Sequence, residues 1–142
     1  MSMEKELLNT FDKKLLLKDL CARLPYGLKV KCEKYSFPVT ILYGGNIDEV
    51  KFIETGGIEN IYAIKPYLFP LSSMTEEQKE SSPFEPSLLN AFINGHISLF
   101  EDEELNIDDL NRLYDWLNKN HFDYRGLIEK RLAIDATGLN IY

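Results

Sequence analysis

Hydrophobic residues in the first part of the chain recur near every third or fourth position, which is typical of a helix with one buried face. Thr10 or Asp12 is available to cap this helix, and Pro25 and Gly27 follow as residues that stop helices. The sequence therefore predicts a helix over about residues 12–24. The positions that carry the pattern are Leu8, Phe11, Leu16, Leu17, Leu20 and Leu24.

A period of two replaces the helical spacing after Gly27 and indicates strands. Leu28, Val30 and Cys32 alternate with Lys29, Lys31 and Glu33. Further apolar, β-branched and aromatic runs follow at residues 39–43, 49–53 and 60–64, and glycine-containing turns separate them. Four short strands with short connections predict an antiparallel meander. The pattern alone does not decide whether the meander curls into a small barrel.

Two prolines, Pro66 and Pro70, bound an aromatic segment after the fourth predicted strand. Because proline cannot donate to a strand ladder, these residues are predicted to end that strand and to carry an extended segment across the surface. Tyr67 and Phe69 are then candidate partner-binding residues, since exposed aromatic side chains favour protein contact. In the alternative, Leu68 and Phe69 pack beneath the N-terminal helix.

The second half of the chain is predicted to be mainly helical. Ser73 and Glu76 have the spacing of a capping box ahead of a polar helical turn. A short helix is expected at residues 87–94, and a longer one follows that Asn106 or Asp108 caps. The buried stripe of this longer helix is Ile107, Leu110, Leu113, Tyr114 and Leu117.

The pattern as a whole predicts an α+β fold in a single domain over residues 1–142. Residues 12–80 supply the N-terminal helix, the four-stranded antiparallel meander and the proline-rich connector. Residues 81–142 form an acidic, helical C-terminal half that packs on one face. Residues 132–136 are a candidate additional strand.

Charge is unevenly distributed along the 142 residues, whose formal net charge is −7. Residues 1–75 carry ten Lys/Arg against nine Asp/Glu, whereas residues 76–142 carry six against fourteen. This acidity disfavours broad binding to nucleic acid, which needs a basic face. Lys29, Lys31 and Lys34 are the best candidates for a local basic patch, although alternating lysines usually mark the solvent face of a strand.

Cysteine usage and hydropathy favour a cytoplasmic location with no membrane partner. Cys21 and Cys32 match neither a zinc pattern nor a redox pair. No basic-then-apolar signal peptide stands at the N-terminus. The leucine run at residues 15–17 is flanked by charged residues and is too short to span a membrane. A reducing compartment is the expected setting.

An acidic run at residues 101–104, with Asp108 and Asp109 beyond it, invites a calcium hypothesis. The run lacks the glycine and the alternating Asp/Asn ligands of a calcium loop. The carboxylates suit the positive end of the following helix instead. Ser72 and Ser73 lie in no nucleophile motif. We therefore predict no catalytic residue, no metal and no cofactor.

The sequence HFDYR at residues 121–125 is the one cluster that could carry chemistry. In an extended segment His121, Asp123 and Arg125 share a face, which could bind an anion or shuttle a proton. A structural interpretation is favoured: Asp123 caps a short helix at residues 124–130, Arg125 pairs with an acid, and His121 covers the end of the preceding helix. The candidate ligand- or partner-binding residues are His121, Asp123, Tyr124, Arg125, Tyr67 and Phe69.

Three blocks of the sequence are distinctive in wording: LLLKDLCARLPYG at residues 15–27, IKPYLFPLSSMTEEQ at 64–78, and DWLNKNHFDYRGLIEKRLAIDA at 115–136. Together they cover about a third of the chain. They resemble a family of small uncharacterised proteins encoded in phages and mobile elements of Bacteroides-group gut bacteria. The family has no assigned activity, so the resemblance implies only a bacterial cytoplasm and a mobile-element setting. In similar sequences a glycine tends to stand where Arg131 stands, which suits a left-handed helix end.

These observations favour a non-enzymatic accessory or regulatory protein that binds a host or phage protein through its sheet edge, its proline-bounded segment or its acidic half. Two alternatives stay open. A small hydrolase or transferase would use His121 as base, with Asp123 orienting it. A protein that sequesters a small anionic ligand would use Arg125, Lys65 and tyrosines.

Overall fold

The computed structural model describes residues 10–42, 49–84, 86–94 and 107–142, and these form an α+β fold. The class and the N-terminal helix agree with the sequence analysis. The helices in these ranges are α1 (Thr10–Arg23), α2 (Glu76–Ser81), α3 (Pro86–Ile93) and α4 (Ile107–Lys119). The strands are β1 (Lys29–Cys32), β2 (Val39–Thr40), β3 (Glu49–Lys51), β4 (Ile58–Asn60), β5 (Ile64–Pro70), β6 (Phe122–Asp123) and β7 (Ile134–Asp135).

Helix α1 packs its apolar face against the main sheet. The helix ends at Arg23, because Pro25 lacks the N–H that would continue it. Gly27 then turns the chain into β1 with a φ of 67°, a conformation that glycine adopts without steric cost. The first hydrophobic core includes Leu16, Leu20, Leu28, Val30, Phe52 and Leu68.

The first four strands pair in antiparallel fashion, β1 with β2 and β3 with β4. An isolated bridge between Ile41 and Phe52 links these two pairs. The segment predicted as the fourth strand, residues 60–64, does not form one unit. Strand β4 ends at Asn60, a 3-10 turn covers Ile61–Ala63, and β5 begins directly after it. No closed barrel forms within the described ranges.

Strand β5 is the central strand of the main sheet, which corrects the prediction that the proline-bounded segment runs exposed across the surface. It pairs antiparallel with β1 and parallel with both β6 and β7. Tyr67 is 9% exposed and Leu68 is 0% exposed, whereas Phe69 is half-buried. The aromatic side chains of this segment are therefore buried or half-buried and do not form an exposed binding surface.

The two edges of β5 explain how the strand accommodates its prolines. The Leu68 carbonyl accepts a hydrogen bond from the Ala136 N–H, and the Phe69 N–H donates to the His121 carbonyl. Because one peptide group points its carbonyl and its N–H to opposite edges, β7 and β6 lie on opposite sides of β5. Backbone groups of alternate residues point to the same edge, so Pro66, Leu68 and Pro70 all face β7. The proline nitrogens, which carry no hydrogen, therefore lie on the β7 edge. Strand β7 pairs there only with the residues between the prolines, so no ladder hydrogen bond is lost.

Residues 124–133 connect β6 to β7 and pack on the first core. Leu127, Leu132 and Ala133 are buried there. The short helix predicted at residues 124–130 does not form, and turns cover this range instead. Arg131 adopts a φ of 63°, the left-handed conformation that a glycine would take more readily.

A second hydrophobic core lies beside the first, between β6 and helices α3 and α4. Its buried members are Met74, Leu89, Leu113, Leu117 and Phe122. Helix α2 is capped by Thr75 and Gln78, which form the capping box in place of the predicted Ser73 and Glu76. The Ser73 hydroxyl donates to the Pro70 carbonyl instead.

Some sequence predictions lie outside the described residues. They are the glycine-containing turn at residues 44–46 and the acidic run at 101–104. In the ranges that the structure covers, no helix combines the length and the apolar character needed to cross a membrane.

Candidate functional site

A buried ion pair between Asp19 and Arg23 lies where α1 approaches α4 and β6. Both residues are 0% exposed. The Arg23 Nε donates to Asp19 Oδ2 at 2.9 Å, and its Nη2 donates to Oδ1 at 3.1 Å, so the pair is bidentate. The Nη2 also donates to the Phe122 carbonyl at 2.6 Å. The ion pair thus links the helix of the first core to the strand that contributes to the second.

Arg125 brings a second guanidinium to the same carboxylate. Its Nη1 donates to Asp19 Oδ1 at 2.8 Å, and its side chain is 15% exposed. One carboxylate therefore holds two cations in a desolvated position, where removal of the anion would be costly. The Arg23 Nη1 has no hydrogen-bond partner within the described part of the chain. We call Asp19, Arg23, His121, Tyr124 and Arg125 the buried seam.

Tyr124 lies against both guanidinium groups. The Arg125 guanidinium carbon is 4.6 Å from the centre of the Tyr124 ring, and that of Arg23 is 5.6 Å away. The hydroxyl donates to Asn118 Oδ1 at 3.0 Å. Burial raises the pKa of the Tyr124 phenol, and the Arg125 charge only partly opposes this. The phenol is therefore neutral near pH 7 and braces the end of α4.

Asp123 organises the turn that follows β6. Its Oδ1 accepts from the Leu127 N–H at 3.0 Å, and its Oδ2 accepts from the Ile128 N–H at 2.9 Å. The residue is 8% exposed. Both carboxylate oxygens are thus committed to backbone amides, as in a cap. The hydrolase or transferase hypothesis requires Asp123 to orient the His121 imidazole, and these oxygens do not do so.

His121 occupies the position just beyond α4 with a φ of 61°. Its N–H donates to the Asn118 carbonyl, so its backbone closes the helix end. The side chain is 7% exposed, and Nδ1 has no hydrogen-bond partner among the described residues. Burial, followed by the nearby Arg23 charge, lowers the pKa of His121 to about 4. The imidazole is therefore neutral at pH 7 and a weak base.

Tyr142 covers His121. The two rings stack with centroids 3.9 Å apart and an angle of 13° between planes. The Tyr142 hydroxyl donates to the Tyr67 carbonyl at 2.8 Å and accepts from the Lys29 N–H at 3.0 Å. Burial raises the pKa of this phenol. The hydroxyl therefore links the first residue of β1 to β5.

The predicted site residues are thus neighbours that point to different partners. Tyr67 is buried in β5 and offers its backbone carbonyl to Tyr142. The Phe69 ring contacts both Phe122 and Tyr142, at centroid distances of 6.2 and 5.9 Å. With Asp123 capping a turn and Arg125 paired to Asp19, the cluster does not present a common polar face.

Three residues of this region carry no signal of their role in the sequence. Asp19 and Arg23 have the spacing of an ordinary exposed i,i+4 pair on a helix, so the pattern gives no sign of their burial. Tyr142 lies 21 positions from His121 in the sequence, and no local motif joins them. Only the tertiary fold shows these contacts.

A different surface combines lysines with exposed aliphatic residues. Alternate residues of β1 to β5 turn away from the first core, and cross-strand partners share that side. Leu42, Ile53 and Ile58 are 47%, 57% and 52% exposed. We call this surface the outer face, and its lysine and aliphatic members are Lys29, Lys31, Lys51, Lys65, Leu42, Ile53 and Ile58.

The register of the strand pairs places these side chains next to one another. Ile58 lies opposite Lys51 in the β3–β4 pair. The Leu42 N–H donates to the Lys51 carbonyl, and the Ile53 N–H donates to the Thr40 carbonyl. The three aliphatic side chains therefore form one cross-strand group with Lys51 among them.

Glu54 contributes an acid beside the outer face. Its carboxylate accepts from the N–H and the hydroxyl of Thr40, at 2.6 and 2.7 Å. Burial would raise the pKa of Glu54, but these two hydrogen bonds and the Lys29 charge lower it. This acid is thus engaged by Thr40.

Lys31 and Lys65 lie directly opposite each other in the β1–β5 pair, and both are exposed. Neither forms a salt bridge with any residue in the described ranges. Like charges placed directly opposite destabilise a sheet. Lys34, the third lysine of the predicted basic patch, is paired with Glu59 at 2.7 Å.

Neither a metal site nor a similarity to known proteins assigns a function to the described residues. Within the described residues, no group of three or more His, Cys, Asp or Glu side chains could hold a metal ion. Cys21 is exposed and Cys32 is buried, and both are free thiols. No family model matches the chain, and no curated protein or solved structure matches it either.

Proposed function

We propose that this protein is a non-enzymatic accessory or regulatory binding protein of a phage or mobile element, and that its outer face contacts an acidic host or phage protein. The observation that carries the proposal is the cross-strand group of Leu42, Ile53 and Ile58, which are about half exposed each and have Lys51 among them. Contiguous exposed apolar residues with a polar rim are typical of protein-binding surfaces.

The charge of the outer face favours an acidic partner. Lys31 and Lys65 oppose each other without a counter-ion in the described chain, although the protein as a whole carries a net charge of −7. A partner carboxylate between them would relieve their repulsion. Such complementarity contributes more to association rate and specificity than to affinity.

The apolar component favours a protein over nucleic acid as the partner. Phosphate backbones are bound by lysine and arginine, and single-stranded bases stack on aromatic side chains. The side chains among the lysines of the outer face are aliphatic instead. A protein surface that combines carboxylates with apolar groups fits this arrangement better.

The buried seam supports a surface-contact function more than an enzymatic one. His121 is neutral and covered by Tyr142, and the Asp123 carboxylate is bonded to two backbone amides. General-base catalysis requires a base within reach of the substrate proton. The Arg125 charge is paired with Asp19, which weakens the hypothesis of an anionic ligand held by that residue.

The test is affinity purification from infected or lysogenic cells with matched variants. Wild type and Phe11→Asp, which changes an exposed apolar residue on α1, are expected to retain the same acidic protein. Ile53→Asp is expected to lose it, and added salt is expected to weaken retention by wild type.

Three results would contradict the proposal. Ile53→Asp would retain the same protein as wild type, or retention would disappear after nuclease treatment. The third result would be an oligomer of wild type that Ile53→Asp converts to a monomer, which would mean that a second copy of the chain occupies the outer face.

A further inference from the structure

The Tyr142 side chain lies in a site that contacts it on three sides. The imidazole of His121 stacks on one face of its ring at 3.9 Å. The Phe69 ring lies beside it, with centroids 5.9 Å apart. The hydroxyl reaches the backbone of both β1 and β5. The site thus combines an aromatic surface with a pair of hydrogen-bonding groups at one end.

The two backbone groups at that end select for a hydroxyl. The Lys29 N–H needs an acceptor, and the Tyr67 carbonyl needs a donor. A phenol supplies both from one oxygen atom. A phenyl ring would leave both groups without these bonds.

The segment before Tyr142 is largely exposed, and Tyr142 itself is 45% exposed although its ring and hydroxyl make the contacts described above. Thr137, Gly138, Leu139 and Asn140 are exposed, and Leu139 exposes 49% of its surface. In this segment the Leu139 N–H donates to the Ala136 carbonyl, which closes a local turn. The Tyr142 phenol attaches this segment to the sheet through its two hydrogen bonds and its ring contacts.

We propose that the cleft between His121, Phe69 and the backbone of Lys29 and Tyr67 is a binding site for phenols, which Tyr142 occupies intramolecularly. The ligand class is a phenolic ring, supplied by a free small molecule or by a tyrosine of another polypeptide. An incoming phenol exchanges with Tyr142. Exchange releases residues 137–142 from the sheet and leaves the rest of the fold in place.

A second feature independent of Tyr142 supports a ligand at this place. The His121 Nδ1 is a buried nitrogen without a hydrogen-bond partner among the described residues. The residue is 7% exposed. An occupant of the cleft with a further polar substituent near the stacked ring could reach a group that Tyr142 leaves unsatisfied.

The experiment uses the full chain with Tyr142→Ala, which empties the cleft. The variant is expected to unfold at a lower temperature than wild type. Added p-cresol is expected to restore most of the lost thermal midpoint as its concentration rises, because ligand binding to the folded state stabilises it. Toluene, which has the ring without the hydroxyl, is expected to restore much less. Wild type is expected to shift little, since its cleft is filled.

A second probe distinguishes the source of the phenol. If N-acetyl-tyrosinamide protects Tyr142→Ala as p-cresol does, the cleft accepts a tyrosine side chain with its backbone attached. Protection by p-cresol alone assigns the cleft to small free phenols. Absence of protection by both compounds would overturn the proposal, as would equal protection by toluene and p-cresol.

Tyr142→Phe keeps the test decisive if Tyr142→Ala does not fold. This variant retains the ring but loses the hydroxyl bonds, so p-cresol is expected to displace it at lower concentration than it displaces Tyr142 in wild type. The ring protons of His121, followed by NMR, report the displacement. Unchanged His121 resonances at saturating p-cresol would overturn the proposal.

Discussion

The buried seam and the outer face treat charge in opposite ways. In the seam, Asp19 is bound by Arg23 and Arg125, and Tyr124 lies against both guanidinium groups. On the outer face, Lys31 and Lys65 oppose each other with no counter-ion among the described residues. Interior charges that are fully paired hold a fold together, whereas unpaired exposed charges remain available to a partner. The comparison assigns scaffolding to the seam and contact to the outer face.

The largest effect is expected from Asp19→Asn, which leaves two guanidinium groups without their anion. Breaking a buried ion pair from one side typically costs about 3–5 kcal/mol, and a urea melt of the variant measures this loss. Arg125→Ala is the matched control. Asp19 keeps its bidentate partner Arg23 there, so the loss is expected to be about 1 kcal/mol. Equal effects of the two substitutions would show that Asp19 does not organise the seam.

Acid is expected to destabilise the protein through His121. Its pKa is lowered from 6.5 to about 4 in the folded state, so the unfolded chain binds the proton more tightly. This contribution to stability is present above pH 6.5 and is lost as the pH falls toward 4, by up to about 3 kcal/mol. Unfolding free energies from urea melts across this range measure the slope.

His121→Asn is the control for this pH dependence. Asparagine tolerates the left-handed backbone of this position and does not titrate in the range. The slope that remains in the variant reports the carboxylates, including Glu54 with its lowered pKa. Identical slopes in wild type and variant would mean that His121 titrates normally and is not buried as described.

Removal of the Asp123 cap is expected to have an intermediate effect. Asp123→Ala leaves the Leu127 and Ile128 amides without their acceptor, at a cost of about 2 kcal/mol. Asp135→Ala removes a single bond to the Thr137 N–H at an exposed turn, and a loss below about 0.5 kcal/mol is expected. Thermal or urea unfolding of both variants compares them. A similar loss in both would show that the Asp123 cap contributes no more than a bond at an exposed turn.

The smallest change in the free energy of unfolding is expected on the outer face, where the substitution should stabilise the protein. Lys31→Glu converts the opposed lysines into an ion pair with Lys65, which should stabilise the protein by a few tenths of a kcal/mol. The gain should shrink with added salt. A clear loss of stability in this variant would show that Lys31 has a structural role, and the contrast with the seam would fail.

Local patterns were sufficient for the elements whose signals are local. Helix α1 and strand β1 follow from their helical and alternating spacing. The two prolines wrongly predict an exposed segment in place of β5, because a missing N–H matters only where the nitrogen faces a ladder partner. The donorless nitrogens face an edge of β5 where no ladder partner needs them. Which edge a residue faces depends on strand pairing, and sequence spacing alone does not reveal it.

The candidate residues show the same division. The sequence predicts Asp123 as the cap of a short helix; the helix does not form, and Asp123 accepts from the amides of a turn instead. The partner of Arg125 lies 106 positions away on α1, and the partner of the Tyr142 hydroxyl lies 75 positions away on β5. Burial of the Asp19–Arg23 pair depends on α1 meeting α4, and the pair has the spacing of a common surface ion pair. Long-range contacts of this kind leave no local pattern.

The most direct test measures partner retention by Lys31→Glu beside Arg125→Ala, with the stability of each variant determined in parallel. We predict that Lys31→Glu is at least as stable as wild type and loses the acidic partner, whereas Arg125→Ala is less stable and retains it. Retention of the partner by Lys31→Glu, together with its loss by folded Arg125→Ala, would contradict the assignment of contact to the outer face and of scaffolding to the buried seam.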